Sequence, residues 1–352
     1  MPYTTVDNPE LYFQAKAWTG TGNEIAITFD GSENMEPDWV WLKKRNASAI
    51  HVAHDSVRGA TKRLIPNSSD AETTQAQYVK SFDSNGITFG TDTDVNNSGS
   101  PAILWGWKAG TSFTNDASAT GIGSIDSSGS VSNTAGFSIV SYTGTGGTET
   151  IKHGLSSKPA VILVKKRSGA ANWYMYHHKN TSAPETDFLV LNSTAATSDN
   201  ANNWNDTQPT SSVFSVGASG TTNPSGGTMI AYCFAEKKGY SKFGSYKGNG
   251  SSDGTNVFLG FKPAVLIYKN TSQSDEWFIH DNKRQGFNDD NEYLFPSSTQ
   301  AEGTANRIRF TSNGFKTLDS DKGVNASGDV YVYMAFAESP STNSSGIPNN
   351  AR

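Results

Sequence analysis

Two His–Asp pairs are the first residues in the sequence whose types could support chemistry. His54–Asp55 and His280–Asp281 have the composition of a pair in which a carboxylate orients an imidazole for acid–base catalysis. Adjacent residues on a strand point to opposite faces, so the members of such a pair cannot hydrogen-bond to each other as a dyad. The matching position between them in the chain holds Tyr176–His177. We therefore predict no catalytic residues and no enzymatic activity.

A second pattern has the spacing of a metal-binding loop. Asp92, Asp94 and Asn96 place oxygen ligands at alternate positions, as a Ca²⁺ loop does. The Gly and Glu that such a loop needs at its sixth and twelfth positions are replaced by Asn97 and Ile103. A polar turn before a strand is the preferred interpretation, and we expect neither a metal nor a cofactor.

Aromatic and acidic residues in polar segments form a third group, which could bind sugars. Trp204 lies in "NANNWNDTQPT" and is predicted to be an exposed ring. Asp289, Asp290 and Glu292 lie in "NDDNE", which we interpret as a solvated loop that contributes to the same binding surface. Paired carboxylates would also serve a glycosidase, but the sequence places no second acid opposite these three.

The composition limits the class of protein. Charged residues make up 17% of the 352-residue chain, the net charge is -5, and no run of Lys and Arg exceeds three residues. A nucleic-acid-binding protein would need a basic stripe, so that class is excluded. Cys233 is the one cysteine, so no intrachain disulfide can form. The first residues lack the basic and apolar regions of a secretory signal, and we expect synthesis in a cytoplasm.

Three sets of matched sequence blocks indicate an internal repeat. An aromatic-x-Gly-x-Gly opening begins at Trp18, Tyr142 and Tyr246. A Pro, five mostly apolar residues and a Lys follow in the runs Pro37–Lys43, Pro159–Lys165 and Pro263–Lys269. His51, Trp173 and Trp277 then match, and later Asn96, Asn223 and Asn325 match. The two matched tryptophans are predicted to be core residues, with stacking on sugars as the alternative. The two "KKR" clusters that end the first two runs are interpreted as solvated strand ends.

Strand-like runs alternate with Gly, Asn, Ser and Asp turns in every copy, and we find no helical periodicity. We therefore predict an all-β fold with three tandem repeated β-sandwich units of a jelly-roll or lectin-like type. The predicted division is an N-terminal attachment segment 1–12, repeat 1 at 13–110, a Gly/Ser/Thr-rich linker 111–136, repeat 2 at 137–240, repeat 3 at 241–340 and a tail 341–352. Residues 111–136 could form extended hairpins instead of a flexible linker.

Several blocks, in this order along the chain, resemble a family of bacteriophage virion proteins from marine and cyanobacterial phages. They are "DNPELYFQAKAWTGTG", "HDSVRGATKRL", "NWNDTQPTSSVFSVG", "AYCFAEKKGYSKFGSYKGNG", "IHDNKRQGFN" and "VYVYMAFAESPSTNSSGIPNNAR". Members of that family are usually described as tail fibre or structural proteins. The resemblance covers residues 7–352 and includes no catalytic motif, so it implies a setting on the virion exterior and no reaction.

Three functions remain as hypotheses. The first is a non-enzymatic tail-fibre or capsid appendage that contacts host-surface glycans. The second is a purely structural decoration or connector protein without a ligand, which the lack of an exposed aromatic groove would favour. The third is a polysaccharide depolymerase, which would need convergent carboxylates. The expected partners are other virion proteins, copies of the chain in a homotrimer, and host glycans. No nucleic acid and no membrane insertion are expected.

Overall fold

The computed structural model describes residues 3–284 and 291–348. Strands paired in antiparallel sheets make up most of its regular structure, and its few helices have only three or four residues. The predicted all-β class is confirmed. In the described part of the chain, no helix is both long enough and apolar enough to cross a membrane.

The strands occur in chain order as follows, after a 3₁₀ helix at Pro9–Leu11. The first section contains β1 Phe13–Thr19, β2 Ile25–Ile27, β3 Trp39–Lys44, β4 His51–Asp55, β5 Lys62–Arg63, β6 Thr73–Thr74, β7 Val79–Asp83, β8 Gly86–Phe89, α1 Thr93–Asn96 and β9 Pro101–Trp107. A connecting section contains β10 Thr111–Asn115, α2 Ala117–Thr120 and β11 Ser127–Ser132.

Two further sections complete the chain. The second contains β12 Phe137–Thr143, β13 Glu149–Lys152, β14 Val161–Lys166, β15 Tyr174–His177, β16 Asp187–Val190, β17 Ser198–Asp199, α3 Ala201–Trp204, β18 Val213–Val216 and β19 Thr228–Phe234. The third contains β20 Ser241–Lys247, β21 Asn256–Phe258, β22 Phe261–Asn270, β23 Trp277–Asp281, β24 Glu292–Tyr293, β25 Gly303–Thr304, β26 Ile308–Thr311, β27 Gly314–Thr317 and β28 Val330–Pro340.

The main sheets of the three sections have the same strand order. They run β1-β9-β3-β4, β12-β19-β14-β15 and β20-β28-β22-β23. Each main sheet is accompanied by a small sheet, namely β2-β8-β7, β13-β18 and β21-β27-β26. A sandwich-like pair of sheets therefore occurs in each section, while the division into three separate repeated units stays a prediction.

Residues 111–136 are ordered as a hairpin. β10 pairs with β11, and β11 pairs with β12, so the hairpin adds two strands to one edge of the main sheet of the second section. At the other edge β16 and β17 follow β15, which gives eight strands in all. The main sheets of the other two sections have four strands each. Of the two alternatives for this segment, the structure contains the extended hairpin.

One face of all three main sheets packs into a shared aromatic core. Trp39 stacks on Trp107 with ring centroids 4.5 Å apart and on Tyr232 at 4.6 Å. Phe336 lies 5.6 Å from Trp107 and 5.8 Å from Phe234. Because these rings come from all three sections, the sections bury their apolar surface against one another.

The matched asparagines explain the aromatic-x-Gly-x-Gly openings. Asn223 is fully buried, and its amide accepts a hydrogen bond from the Thr145 N–H at 2.9 Å and donates to the Gly147 carbonyl at 2.7 Å. A Cβ at Gly144 would lie 2.4 Å from the Pro224 carbonyl oxygen, and Gly146 has φ +80°. Only glycine fits both conditions, so the motif has a structural role. Asn96 and Asn325 fix the other two loops in the same way.

We expect the Asn223→Ala variant to lose about 2–3 kcal/mol of unfolding free energy, because it removes both hydrogen bonds by which a fully buried side chain holds the loop backbone. Urea unfolding followed by tryptophan fluorescence measures the loss. Asn202→Ala is the matched control, since Asn202 is exposed and its side chain is expected to change stability by less than about 0.5 kcal/mol. An equal effect of the two substitutions would contradict the assigned role.

The matched lysines are buried, contrary to the solvated strand ends predicted for the "KKR" clusters. Lys43, Lys165 and Lys269 are each 0% exposed. Lys165 Nζ donates to the carbonyls of Ser69 and Ala171 at 3.0 and 2.6 Å. Burial lowers the pKa of all three ammonium groups to about 8. The prediction was wrong because backbone carbonyls from neighbouring loops take the place of water around these charges.

The N-terminal segment packs against the rest of the chain. Val6 is 1% exposed within the shared core, and the Tyr3 hydroxyl donates to the Gly260 carbonyl at 2.8 Å. The Asp7 carboxylate accepts hydrogen bonds from the backbone and the hydroxyl of Ser344. The described parts of the two terminal segments therefore lie together. A role of residues 1–12 in attachment to a particle stays a prediction.

Candidate functional site

The two His–Asp pairs are buried parts of the protein interior and form no dyad. Asp55 pairs with Arg58 at 2.5 Å, and both side chains are fully buried. Asp281 pairs in the same way with Arg284 at 2.7 Å. His54 Nδ1 donates to the Ala60 carbonyl at 2.6 Å instead of contacting Asp55. These contacts stabilise turns between strands, and neither carboxylate is available to orient the histidine beside it.

Burial keeps the histidines neutral. It lowers the pKa of His54 and of His177 to about 3, and that of His153 to about 4. Burial also places the pKa values of His51 and His280 well below the usual 6.5. A general base needs both access to a substrate and a pKa near the working pH. None of these five side chains has either property.

The residues of the proposed Ca²⁺ loop satisfy one another and the backbone. Asp92 caps α1 by accepting the Asp94 N–H at 2.8 Å, and Asp94 accepts the Tyr78 hydroxyl at 2.5 Å. The Asn96 amide is buried and donates to the Gly90 and Asn23 carbonyls. Within residues 3–284 and 291–348, no three His, Cys, Asp or Glu side chains are arranged to hold a metal ion.

Trp204 is 2% exposed, so the expectation of an exposed aromatic ring was wrong. Its indole packs edge-on against Tyr176, and its Nε1 donates to the Asp187 carbonyl at 3.0 Å. The asparagines around it form the short helix α3, which turns the ring inward. Trp173 and Trp277 are 0% and 1% exposed, as expected for core residues.

Of the three acidic residues predicted to bind sugars, the structure describes Glu292. Asp289 and Asp290 lie outside the described residues. Glu292 accepts a hydrogen bond from Arg45 at 2.5 Å, and the same guanidinium contacts Glu302 at 2.9 Å. Glu292 therefore holds the third section against the first and is not part of a solvated binding loop.

An open depression lies elsewhere, on the hairpin that extends the main sheet of the second section. It is a groove of about 550 Å³ lined by the edge and outer face of β10, β11 and β12. A second depression of about 390 Å³ continues it between the hairpin and Asp38, Ser56 and Val57 of the first section. Ser128 lines both. We call the two depressions together the hairpin groove.

Hydroxyl groups cover the floor of the hairpin groove. Thr114, Ser128 and Ser141 stand opposite one another on the three strands, about 4.8 Å apart from strand to strand. Ser112 and Thr143 lie on the same face, one pleat repeat away from Thr114 and Ser141 respectively.

Most of these hydroxyls have no protein partner. Within the part of the chain that the structure describes, the side-chain oxygens of Ser112, Thr114, Ser128 and Thr143 form no hydrogen bond. Each can both donate and accept. The floor of the groove therefore offers several free hydrogen-bonding groups at fixed spacing on rigid strands.

Two carboxylates border one end of the hairpin groove. Asp116 caps α2 by accepting the Ala119 N–H, and hydrogen bonds from Ser118 and Ala119 lower the pKa of this exposed carboxyl group. Asp126 accepts the Ala117 N–H at 2.8 Å. A glycosidase acid needs a raised pKa, and Asp116 has the opposite shift. The residues that line the groove include no Lys or Arg.

A family model matches residues 8–340, and its description is a domain of unknown function, DUF7483. The chain belongs to this family. A comparison with curated proteins finds no match. The match includes all three sections and the hairpin, and the description of the family names no activity.

Reasoning from sequence missed the hairpin groove. The sequence "TSFTNDASATGIGSIDSSGSVS" is rich in Ser, Thr and Gly, which is equally typical of a linker. A usable signal was present in the alternation of "SFTN" and "SSGSVS", where every second residue is polar and small. That alternation predicts a strand with one solvated face, and the matched copies contain no counterpart of it.

Proposed function

We propose that the protein is a non-enzymatic component of a bacteriophage virion, a tail-fibre or capsid appendage that binds host-surface glycans in the hairpin groove. The observation that carries the binding role is the row of free hydroxyls on β10, β11 and β12. The virion setting rests on the resemblance of the sequence blocks to phage tail-fibre and structural proteins.

A hydroxyl-lined groove suits a sugar chain for two reasons. Sugar hydroxyls both donate and accept, and so do Ser and Thr side chains, so the two can pair in more than one register. The groove also lies on a hairpin that widens one sheet of three, and insertions in repeated folds commonly supply binding surfaces. Asp38, Asp116 and Asp126 give its lining a negative charge, which favours neutral sugars over acidic ones.

The absence of enzymatic activity is supported by the state of the ionisable groups. The buried histidines have pKa values below the range for acid–base catalysis. Asp55, Asp281 and Glu292 are engaged in ion pairs with arginines. These contacts argue against a catalytic role for the two His–Asp pairs and for Glu292.

A second candidate function is a structural decoration or connector protein without a ligand. The observation that favours it is the lack of an exposed aromatic ring among the described residues that line the groove. Tyr142 is buried there, and Phe113 is half-buried against the core of the second section. Sugar-binding sites commonly use such rings as stacking surfaces, and this groove would bind through hydrogen bonds alone.

Binding of the purified protein to intact bacterial cells tests the proposal. We expect saturable binding that is lost when the cells are treated with periodate, because periodate cleaves sugars at vicinal diols. Cells treated with protease in place of periodate are the control and are expected to retain binding. No binding to any cell type of a broad panel, at protein concentrations up to about 100 µM, would favour the structural alternative.

A further inference from the structure

The matched residues His51, Trp173 and Trp277 make the same contact to a neighbouring section. Trp173 Nε1 donates to the Ile65 carbonyl at 2.9 Å, so the second section contacts the first. Trp277 Nε1 donates to the Val190 carbonyl at 3.0 Å, so the third section contacts the second. His51 Nε2 donates to the Phe295 carbonyl at 3.0 Å, so the first section contacts the third. The three acceptors Ile65, Val190 and Phe295 are themselves matched positions.

A backbone hydrogen bond repeats the same cycle two residues earlier. The N–H groups of Ala171 and Asp275 donate to the carbonyls of Ser69 and Thr194, each at 2.8 Å. The third member of the set joins the first section to the third, because the Ala49 N–H donates to the Thr299 carbonyl at 2.9 Å. Each donor lies two residues before one of the matched residues His51, Trp173 and Trp277. Each acceptor lies four residues after one of the matched acceptors Ile65, Val190 and Phe295.

Three further hydrogen bonds, made by buried side chains, join the same pairs of sections. The Tyr232 hydroxyl donates to Asp55 at 2.6 Å, which joins the second section to the first. Trp105 Nε1 donates to Asp281 at 3.0 Å, which joins the first section to the third. His177 Nε2 donates to the Tyr333 carbonyl at 3.1 Å and joins the second section to the third. Asp55, His177 and Asp281 occupy matched positions.

These three sets of contacts describe a head-to-tail interface that closes after three steps. A head-to-tail interface forms a ring of three when each step rotates by one third of a turn. Here the third step returns to the first section of the same chain. The inner faces of all three main sheets are used in that closure and share one buried core.

We propose that one chain forms a closed three-part ring by itself, so that the protein is a monomer with the internal symmetry of a trimer. The sequence-based expectation of a homotrimer and this proposal differ in the mass of the particle in solution. The ring carries one hairpin groove, since among the described strands only the main sheet of the second section is extended by a hairpin such as β10 and β11. The proposal does not rest on the glycan-binding role, and either can fail without the other.

Native mass spectrometry and light scattering on the full chain test the number of chains. We expect a particle of 37.7 kDa at all concentrations between about 1 and 100 µM. A particle of three times that mass would overturn the proposal. Mass alone does not show which chain supplies the closing contact, so a covalent test accompanies it.

A disulfide across the closing contact identifies its source. The hydroxyls of Ser48 and Thr299 lie 3.1 Å apart at the junction of the first and third sections. The double variant S48C/T299C is expected to form a disulfide within one chain, visible as a faster monomer band on a non-reducing gel. The double variant S274C/T194C is the control. Ser274 and Thr194 occupy the positions that match Ser48 and Thr299, and the Asp275 N–H next to Ser274 donates to the Thr194 carbonyl.

Two outcomes of the covalent test overturn the proposal. Linked dimers or trimers of S48C/T299C show that the closing contact is made between chains. Failure of S48C/T299C to cross-link under conditions in which S274C/T194C does so shows that the ring is open. The native Cys233 is fully buried, so it does not compete for the introduced thiols.

Discussion

Replacing Asp55 with alanine is expected to lower the free energy of unfolding by about 3–5 kcal/mol, because it leaves a buried guanidinium without its main partner. Asp55 accepts hydrogen bonds from Arg58 at 2.5 Å and from the Tyr232 hydroxyl at 2.6 Å. The side chains of Asp55 and Arg58 are fully buried, so water cannot replace the lost contacts. Glu72 remains near Arg58 at 3.2 Å and compensates only in part.

Urea unfolding at pH 7 measures this loss as a shift of the transition midpoint. Glu24→Ala is the control, because Glu24 pairs with Lys80 on the surface, where both side chains are more than a third exposed. Such exposed pairs contribute at most about 1 kcal/mol. A loss below about 1 kcal/mol for Asp55→Ala would contradict the assignment of this pair to the interior.

Acid is expected to unfold the protein cooperatively between about pH 5.5 and pH 4, in a transition that begins at a higher pH than titration of the carboxyl groups alone would give. The pKa of each of the six histidines is lowered in the folded state, mainly by burial. The unfolded chain therefore binds more protons than the folded chain below pH 6.5. The histidine contribution to stability is complete above that pH and is lost as the pH falls toward the folded pKa values.

Three of the histidines set the magnitude of this effect. His54, His153 and His177 have folded pKa values of about 3 to 4. Each lowers the free energy of unfolding by about 1.4 kcal/mol for every pH unit below 6.5. Together they therefore lower it by roughly 6 kcal/mol by pH 5. A whole domain is typically stable by only about 5–15 kcal/mol.

The hydrogen bonds of the rings explain why the proton is excluded. His153 Nδ1 accepts the Leu155 N–H at 3.1 Å, and His177 Nδ1 accepts the Lys179 N–H at 3.2 Å. The other nitrogen of each ring donates to a carbonyl, that of Thr210 or Tyr333. Protonation at Nδ1 would remove an accepted hydrogen bond inside the protein.

The slope of unfolding free energy against pH between pH 5 and 6 measures the proton uptake. We expect an uptake of at least three protons for the natural chain and about one fewer for His153→Gln, which cannot titrate. A free energy of unfolding that is flat between pH 6.5 and 4.5 would contradict the neutral, buried state of these rings.

The sequence predicted local structure where one repeated feature determines it. The strand Val161–Lys166 and its two counterparts follow from four or five consecutive apolar residues between a Pro and a Lys. The loops held by Asn96, Asn223 and Asn325 also recur in sequence, although their hydrogen bonds became evident only in the structure. Repetition at fixed spacing made these elements visible without any long-range information.

The sequence did not predict features that depend on contacts between sections. Lys165 is buried because Ser69, distant in the sequence, supplies a carbonyl to its ammonium group. Trp204 lies in a polar segment, yet the helix α3 turns it toward Tyr176. Local composition carries no information about such distant partners, so both residues were placed on the surface.

Binding of two arginine variants to bacterial cells, one altered in the groove and one altered outside it, tests the central claim most directly. The double variant T114R/S128R places two long charged side chains on the floor of the hairpin groove, whereas S252R adds one on an exposed turn elsewhere. On cells that bind the natural chain, we predict at least a tenfold weaker affinity for T114R/S128R and an unchanged affinity for S252R. Unchanged binding of T114R/S128R, with its fold intact by circular dichroism, would contradict the claim that the groove binds the glycan.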